Sequence, residues 1–283
     1  MSNVSDKLAI ANNALLSIGE TQIAVLDTTK PLANKINGIF EGTVKELLSE
    51  DWFFNRKRVL LSDLTAVNKL TLDASPTPAA FKIGATLTGA TSSVTCTVLE
   101  VLSSTVYLVT EPTGDFTDGE IIGDGGTNTR NCETGYPQVS ETLGYGGYDY
   151  GFVIPSDCLF IRGIGDVDCD NFRYPHKPEG NIILANTNDA YFHYNKWIGY
   201  QGSETVSDVT YMRGWFHRLI SARIAHILAP NTTQNMREPQ KAQIEWDAAY
   251  LNAREQNGYE THNEAEEESE SWAEGANNEI QSI

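Results

Sequence analysis

The chain has 283 residues, of which 40% are hydrophobic and 20% charged, a composition typical of a globular protein with one large domain or two smaller ones. Its 38 acidic residues outnumber its 20 basic residues, and the net charge of −18 excludes a protein that grips nucleic-acid phosphates over a broad surface. The sequence has no run of about 18 apolar residues and no basic leader followed by an apolar run, so we expect no transmembrane helix, no secretory signal and synthesis in the cytosol.

Two amphipathic helices are predicted near the start of the chain. The first apolar stripe repeats at helical spacing and consists of Leu8, Ala11, Leu15 and Ile18. Ser5 suits its N-cap, and Gly19 suits the position that ends it. The second stripe follows Pro31, a residue favoured in the first turn of a helix. It consists of Ile36, Ile39, Phe40, Thr43, Leu47 and Leu48. Neither helix can bury its stripe alone, so we expect them to pack on each other and on later elements.

The second helix leads directly into Trp52, Phe53 and Phe54. Large aromatic side chains bury much apolar surface and dominate core packing. We therefore predict that these three residues form a structural anchor where the helices meet a sheet.

The middle of the chain changes in composition. Residues 52–72 are strand-like, and residues 75–78 hold two prolines that favour a hinge. From 81 to 135 the sequence is rich in threonine, glycine and valine, with the alternation typical of half-buried strands. A pattern of aromatic, glycine and aliphatic residue occurs twice, at Phe81, Gly84 and Leu87 and at Phe116, Gly119 and Ile122. It predicts two similar hairpins, with each glycine at a tight turn and each aliphatic side chain pointing inward.

Strands are predicted again at 151–154, 158–164, 172–176, 181–185 and 191–196, as an antiparallel meander. A helix is then predicted at 209–229, stopped by Pro230, and a further helix at 238–256.

The sequence ends in an acidic tail that begins at Tyr259. Nine glutamates follow Arg254, and no lysine or arginine does. Because the tail is highly charged and poor in apolar residues, we expect it to be disordered in the free protein. We predict that it docks on a partner through Glu266, Glu267, Glu268, Glu270, Trp272 and Ile280.

Together these elements predict an α+β fold: a helical bundle built from the N-terminal and C-terminal helix pairs, packed with an antiparallel β meander, plus an inserted small all-β domain. The predicted boundaries are a discontinuous core domain at 1–75 and 136–258, an inserted β domain at 76–135 and an acidic tail at 259–283.

No motif in the sequence predicts a catalytic, metal-binding or cofactor-binding residue. Asp166, Asp168 and Asp170 have the spacing that opens a calcium loop, but Asn171 and Lys177 stand where that loop needs glycine and glutamate. A polar turn is expected there instead. A second acidic group has no fixed ligand spacing and indicates a solvated hairpin. It consists of Asp115, Asp118, Glu120 and Asp124. The four cysteines form no CxxC pair, which favours free thiols over a zinc site, and the five histidines form no HExxH motif.

Three segments together resemble a known family. Residues 9–20, residues 32–54 and the aromatic strand at 150–161 are similar to the tail tubular protein A family, the head-to-tail adaptors of short-tailed bacteriophages. The resemblance covers roughly 1–70 and 148–258, and it does not include the β segment at 81–135.

The resemblance implies a structural protein of the virion, made in the bacterial cytoplasm, without enzymatic activity, cofactor or membrane anchor. It implies a homo-oligomer, a ring of twelve copies at the head-to-tail junction. The ring would lie between the portal protein and a nozzle protein similar to tail tubular protein B, with the C-terminal segment reaching toward the portal. Genomic DNA would pass through without sequence-specific binding. Acidic channel walls suit that role, because basic walls would hold DNA phosphates.

Two other functions stay open at the level of sequence. One is a virion-associated hydrolase of peptidoglycan or other glycans, since a pair of carboxylates at a suitable separation is all that such chemistry requires. The other is a receptor-binding tail protein, suggested by the threonine- and glycine-rich β segment.

Overall fold

The structure is a computed structural model. It describes the backbone of residues 4–26, 29–166, 172–198, 212–232 and 237–280, and the side chains of these ranges except 4–6, 231–232 and 261–280. The chain divides into two compact units. The helical unit combines Met1–Arg56 with Asn195–Ile283, and the strand-rich unit is Lys57–Tyr194.

The helical unit contains α1 (Val4–Ser17), α2 (Pro31–Leu48), α3 (Gly214–Thr232) and α4 (Arg237–Ile280). The predicted end of α1 is confirmed: Gly19 has a φ of 77°, its N–H donates to the carbonyl of Leu16, and the N–H of Glu20 donates to that of Leu15. This pair of bonds closes the last turn in the way that favours glycine after a helix. Pro31 lies in the first turn of α2, also as predicted.

Helices α1, α2 and α4 each pack against α3. The two predicted apolar stripes are buried, except for Leu8 and Ile39, which are half-buried. Helix α3 extends past Pro230, the predicted stop, to Thr232.

The strands are β1 (Arg56–Leu60), β2 (Val67–Thr71), β3 (Thr86–Gly89), β4 (Thr95–Val101), β5 (Val106–Thr110), β6 (Ile121–Gly123), β7 (Thr129–Asn131), β8 (Gln138–Ser140), β9 (Tyr150–Val153), β10 (Cys158–Gly165), β11 (His176–Glu179), β12 (Ile182–Ala185) and β13 (Tyr191–Lys196).

Seven of these strands form one sheet in the order β7-β6-β3-β4-β5-β2-β8. This sheet includes strands from outside the predicted inserted domain at 76–135, because β5 pairs antiparallel with β2, β2 pairs antiparallel with β8, and both β2 and β8 lie outside that range. Long-range pairing of this kind leaves no mark in local composition.

The repeated aromatic-glycine-aliphatic pattern has the predicted geometry. Gly84 and Gly119 both have positive φ, and Leu87 and Ile122 are fully buried in one core cluster. Their strands, β3 and β6, pair antiparallel.

The other two sheets have three strands each, in the orders β1-β13-β10 and β11-β12-β9. The predicted strand at 172–176 is wrong, since strand pairing begins only at His176. Before β11 the Tyr174 N–H donates to the carbonyl oxygen of Ile164 at 3.3 Å, a single bond that makes no strand ladder, and Pro175 adds no donor.

The predicted fold class is wrong as well. Strands predominate, in a seven-stranded and two three-stranded sheets, and the α-helices of the described residues lie toward the two ends of the chain. The molecule is therefore not a helical bundle with a meander attached. Helical periodicity is local and visible in the sequence, so it favours the prediction of a helical bundle. Sheets depend on pairing between strands that are distant in the sequence, which local patterns do not show.

The expected disorder after Tyr259 also differs from the structure, in which α4 continues to Ile280. Glutamate, the commonest residue of this segment, is a strong helix former even where no apolar stripe is present.

Candidate partner-binding surface

Helix α4 carries the predicted docking residues, and its first half is fixed to the helical unit. It has 44 residues, which corresponds to a length of about 66 Å. Ala242, Ala249 and Ala253 are buried, and their spacing of seven and four places them on one face of the helix. Small side chains on that face allow α4 to approach α3 closely.

An aromatic cluster fills the space between the end of α2 and the start of α3. The Trp52 ring is fully buried, and its centroid lies 5.5 Å from that of Trp215 and 5.6 Å from that of Phe216. Its Nε1 donates to the carbonyl oxygen of Leu47 at 2.6 Å, so the indole also closes the end of α2. Phe54, half-buried, lies 5.0 Å from the Phe216 ring.

The third predicted anchor residue, Phe53, is half-buried and packs edge-on against Phe54 at 5.9 Å. The guanidinium of Arg213 lies 5.2 Å from the Phe53 ring centroid. The aromatic triplet thus contacts the start of α3 within the helical unit.

Polar contacts join α4 to the same junction. Arg254 Nη2 donates to Glu50 Oε2 at 2.6 Å, and its guanidinium lies 4.8 Å from the Trp52 ring centroid. The Tyr250 hydroxyl donates to the same Glu50 oxygen at 2.8 Å. Asn257 accepts the N–H of Phe53 at 2.9 Å through its Oδ1. Helix α4 is therefore held by directional bonds as well as by packing, as far along as Asn257.

Arg213 and Glu260 make the last described side-chain contact of α4, an ion pair of 3.4 Å. Beyond it the backbone continues as helix for twenty residues, and this part contains every predicted docking residue. Glu266 and Glu270 are four residues apart and share one side of the helix. Trp272 and Ile280 are eight apart, roughly 12 Å along the axis and within about 80° around it.

The glutamates beyond Asn257 are spaced so that they repel one another. Glu266 and Glu270 are four residues apart, as are Glu264 and Glu268, and like charges at that spacing destabilise a helix. The last turn of α4 holds a further glutamate, Glu279, and no basic residue, although the partial negative charge of a helix C-terminus favours basic residues there. Electrostatic stabilisation of the helix therefore does not explain the placement of these charges.

A second feature of α4 is an exposed apolar stripe that sequence analysis missed. Ile244 and Leu251 are each 69% exposed and Tyr259 is 59% exposed. Ile244 and Leu251 lie opposite Ala242, Ala249 and Ala253 around the helix, and Tyr259 lies to one side, about 100° from Ala242. The seven-residue spacing of Ile244 and Leu251 is visible in the sequence, but only the burial of the opposite face shows that the stripe points outward.

A groove of about 530 Å³ lies between α1, α3 and α4 within the helical unit. Its lining includes His217, Arg218, Ser221, Ala222 and Ala248. Ser221 Oγ donates to the carbonyl oxygens of Ile10 and His217, which joins α1 to α3. Arg223 pairs with Glu46 at 2.7 Å, so this arginine of α3 is engaged inside the unit.

The acidic residues of the β segment serve different structural purposes. Glu120 is 4% exposed and accepts four hydrogen bonds, from the N–H groups of Thr91, Ser92 and Thr117 and from the Ser92 hydroxyl. Burial alone would raise the pKa of Glu120. The four hydrogen bonds together lower it by more, so the pKa lies below the usual value. Asp124 accepts from Gly126 and Asn128 in its own turn.

Asp118 accepts the Gly135 N–H, while Asp115 lies on the surface. Within the part of the chain that the structure describes, no cluster of histidine, cysteine or acidic residues could hold a metal ion. Asp166 pairs with Arg173 and accepts from the Tyr174 hydroxyl at 3.1 Å, and Asp168, Asp170 and Asn171 lie outside the described residues.

Three cysteines are described, and all three are free thiols: Cys96, Cys132 and Cys158. Burial raises the pKa of the Cys96 thiol to about 12 and those of the other two to about 11. Cys169 lies outside the described residues. Among the helices described, none is long and apolar enough to cross a membrane.

The chain matches no protein-family model, and a search of curated proteins finds no match either.

Proposed function

We propose that this chain is a structural head-to-tail adaptor of a short-tailed phage, and that the distal half of α4 is its docking element. The observation that carries the proposal is the division of α4. Its first half is fixed by packing and by the bonds to Glu50 and Phe53, while its second half concentrates glutamates that repel one another and contains no lysine or arginine. A helix end that is unfavourable for the free protein becomes favourable on a basic partner.

The proposed partner is the portal protein, and the proposed assembly is a ring of twelve copies that continues the DNA channel toward the nozzle. The net charge of −18 supports a channel role, because DNA is repelled by acidic walls. The same charge opposes self-association, so free chains are monomers that form a ring only on the portal.

The test compares binding to the portal protein of the same phage for four forms of the full chain. One form ends after Glu260, which keeps every described contact of α4. The second replaces the four docking glutamates by glutamine: Glu266, Glu267, Glu268 and Glu270. The third is Trp272→Ala. The fourth is a control that neutralises four exposed acids elsewhere: Glu41, Asp63, Glu133 and Asp247.

The truncated form should lose attachment while its melting temperature stays unchanged. The loss of four exposed charges, at roughly 0.2–1 kcal/mol each, predicts an affinity about 4- to 800-fold lower for the glutamine form at low salt. Trp272→Ala should cost at least about 2 kcal/mol if the ring is a hot spot. The control form should bind like the original chain.

Two results would count against the proposal. Equal affinity of the truncated and full chains at low salt would remove α4 as the docking element. Stable dodecamers of the chain alone in mass photometry would remove the need for the portal as a template. Clearing of a peptidoglycan layer by the purified chain would instead favour the hydrolase.

A further inference from the structure

A groove on the seven-stranded sheet has the features of a binding site for a cationic group. It has a volume of about 430 Å³ and lies between β2, β8 and the loop that follows β5. Its floor includes Asn68, its walls include Phe116 and Val139 with two prolines, and its rim carries three carboxylates. The groove lies entirely within the strand-rich unit.

The floor residue Asn68 holds a buried acceptor without a donor. Its side chain is 5% exposed, and its Oδ1 has no hydrogen-bond partner among the residues that the structure describes. A buried carbonyl oxygen without a donor destabilises a fold, so such a group in a native protein needs an explanation. A ligand that brings an N–H into the groove supplies one.

Strand geometry directs Asn68 toward the groove. Neighbouring residues of a strand point to opposite faces, and Val67 belongs to a separate core cluster with Leu108. Asn68 therefore shares its face with Leu70. Leu70 lies directly opposite Val139 in the register of β2 and β8, and Val139 lines the groove. The unpartnered amide and the groove wall are thus on the same side of the sheet.

The charge of the rim selects a cation. Glu111, Asp115 and Glu141 are exposed, and no basic side chain occurs among the residues that line the groove. The carboxylates do not form a group that could hold a metal ion, within the described part of the chain. The ligand is therefore an extended cation that makes several separate hydrogen bonds, not a metal ion.

The walls favour a guanidinium over an ammonium group. A guanidinium is planar, stacks on aromatic and other flat apolar surfaces, and carries five N–H donors for carboxylate and carbonyl oxygens. Phe116 and the prolines offer the flat surfaces, and Asn68 with the rim offers the acceptors. An ammonium group is more strongly hydrated and gains less from such walls.

Backbone bonds hold the groove in shape before any ligand arrives. The Glu111 N–H donates to the carbonyl oxygen of Ala66 at 2.9 Å. Thr113 and Thr95 exchange two bonds: the Thr113 N–H donates to the Thr95 carbonyl at 3.0 Å, and the Thr95 N–H donates to Thr113 Oγ1 at 2.9 Å. A preformed site loses little conformational entropy on binding.

We propose that this groove binds an arginine side chain presented by a partner protein. The guanidinium donates to Asn68 Oδ1 and pairs with the rim carboxylates, while Phe116 and the prolines cover its faces. This surface is separate from the distal half of α4, so it adds a second contact to the proposed adaptor and does not depend on the first.

The test titrates the full chain with the peptide acetyl-Gly-Arg-Gly-amide and follows amide signals by NMR. Shifts should concentrate at the Asn68 side-chain amide and at residues 111–116. The same peptide with citrulline, which keeps the shape but loses the charge, should bind at least tenfold more weakly, and so should the lysine peptide. Raising the salt concentration should weaken arginine binding.

Variants separate binding from folding. Asn68→Leu removes the unpartnered acceptor at similar volume, so it should leave the melting temperature equal or higher and weaken the arginine peptide at least tenfold. Neutralising Glu111, Asp115 and Glu141 together should weaken it further and remove most of the salt dependence. A control that neutralises Asp63, Glu133 and Asp149, all exposed, should bind the peptide normally.

Equal binding of the arginine and citrulline peptides would overturn the proposal, as would normal peptide binding by Asn68→Leu. Free L-arginine that binds more tightly than the peptide would assign the groove to a small molecule and overturn the choice of a partner protein. Loss of portal binding in the α4 variants with normal peptide binding here would leave this inference standing.

Discussion

Replacing Trp52 by alanine tests whether the aromatic cluster holds the helical unit together. The ring is fully buried, contacts Trp215 and Phe216, and closes the end of α2 through its bond to Leu47. Removing a buried tryptophan costs roughly 3–5 kcal/mol, from lost burial and from the cavity that remains. For a chain of this size, 4 kcal/mol lowers the melting temperature by roughly 10 °C. Trp52→Phe keeps much of the packing but leaves the Leu47 carbonyl without its donor, so it should lose about 1–2 kcal/mol.

Circular dichroism at 222 nm suits this test, because the helical unit dominates that signal. Urea and thermal unfolding should rank the chains as original, Trp52→Phe and Trp52→Ala. Leu251→Ala is the control, since Leu251 is 69% exposed and its removal should change stability by no more than about 0.5 kcal/mol. A Trp52→Ala chain that unfolds within about 1 kcal/mol of the original would refute the assignment of Trp52 as an anchor.

Two further predictions concern the strand-rich unit. The hydrogen bond from Arg130 is the largest cause that lowers the pKa of Asp73, to about 2. Because the pKa of Asp73 is lower in the folded state, its ionised carboxylate stabilises the fold at any pH above its ordinary pKa near 3.8. That stabilisation disappears as the pH falls toward 2. Asp73→Asn should therefore be less stable than the original at pH 5 and similar to it at pH 2, as measured by urea unfolding; an equal difference at both values would contradict this. Glu120→Gln replaces an acceptor of four hydrogen bonds by a group that is half donor, so it should cost about 2 kcal/mol in thermal unfolding, whereas the exposed control Glu133→Gln should cost almost nothing.

The features that sequence predicted well are those that depend on near neighbours. The end of α1 at Gly19 and the start of α2 at Pro31 follow from the backbone preferences of single residues. The repeated pattern around Gly84 and Gly119 was predictable for the same reason.

The features that sequence missed depend on distant partners. Val67 pairs with Thr110, and Leu70 lies between Tyr107 and Val139, so the seven-stranded sheet joins segments that look unrelated in composition. Asn68 looks like an ordinary polar residue of a strand until the fold buries it. The length of α4 differs from the prediction for another reason: low apolar content predicts disorder, whereas the glutamates and alanines of α4 favour helix.

The split origin of the helical unit bears on how the chain is made. Helix α2 ends at Leu48 and α3, on which it packs, begins at Gly214. At synthesis rates of about 5–20 residues per second this separation corresponds to a delay on the order of 10–30 s. During that time the strand-rich unit can fold, but the apolar stripes of α1 and α2 have no partner to cover them. Each new chain therefore passes through an interval of exposed apolar surface, in which slower growth or bound chaperones favour correct folding over aggregation.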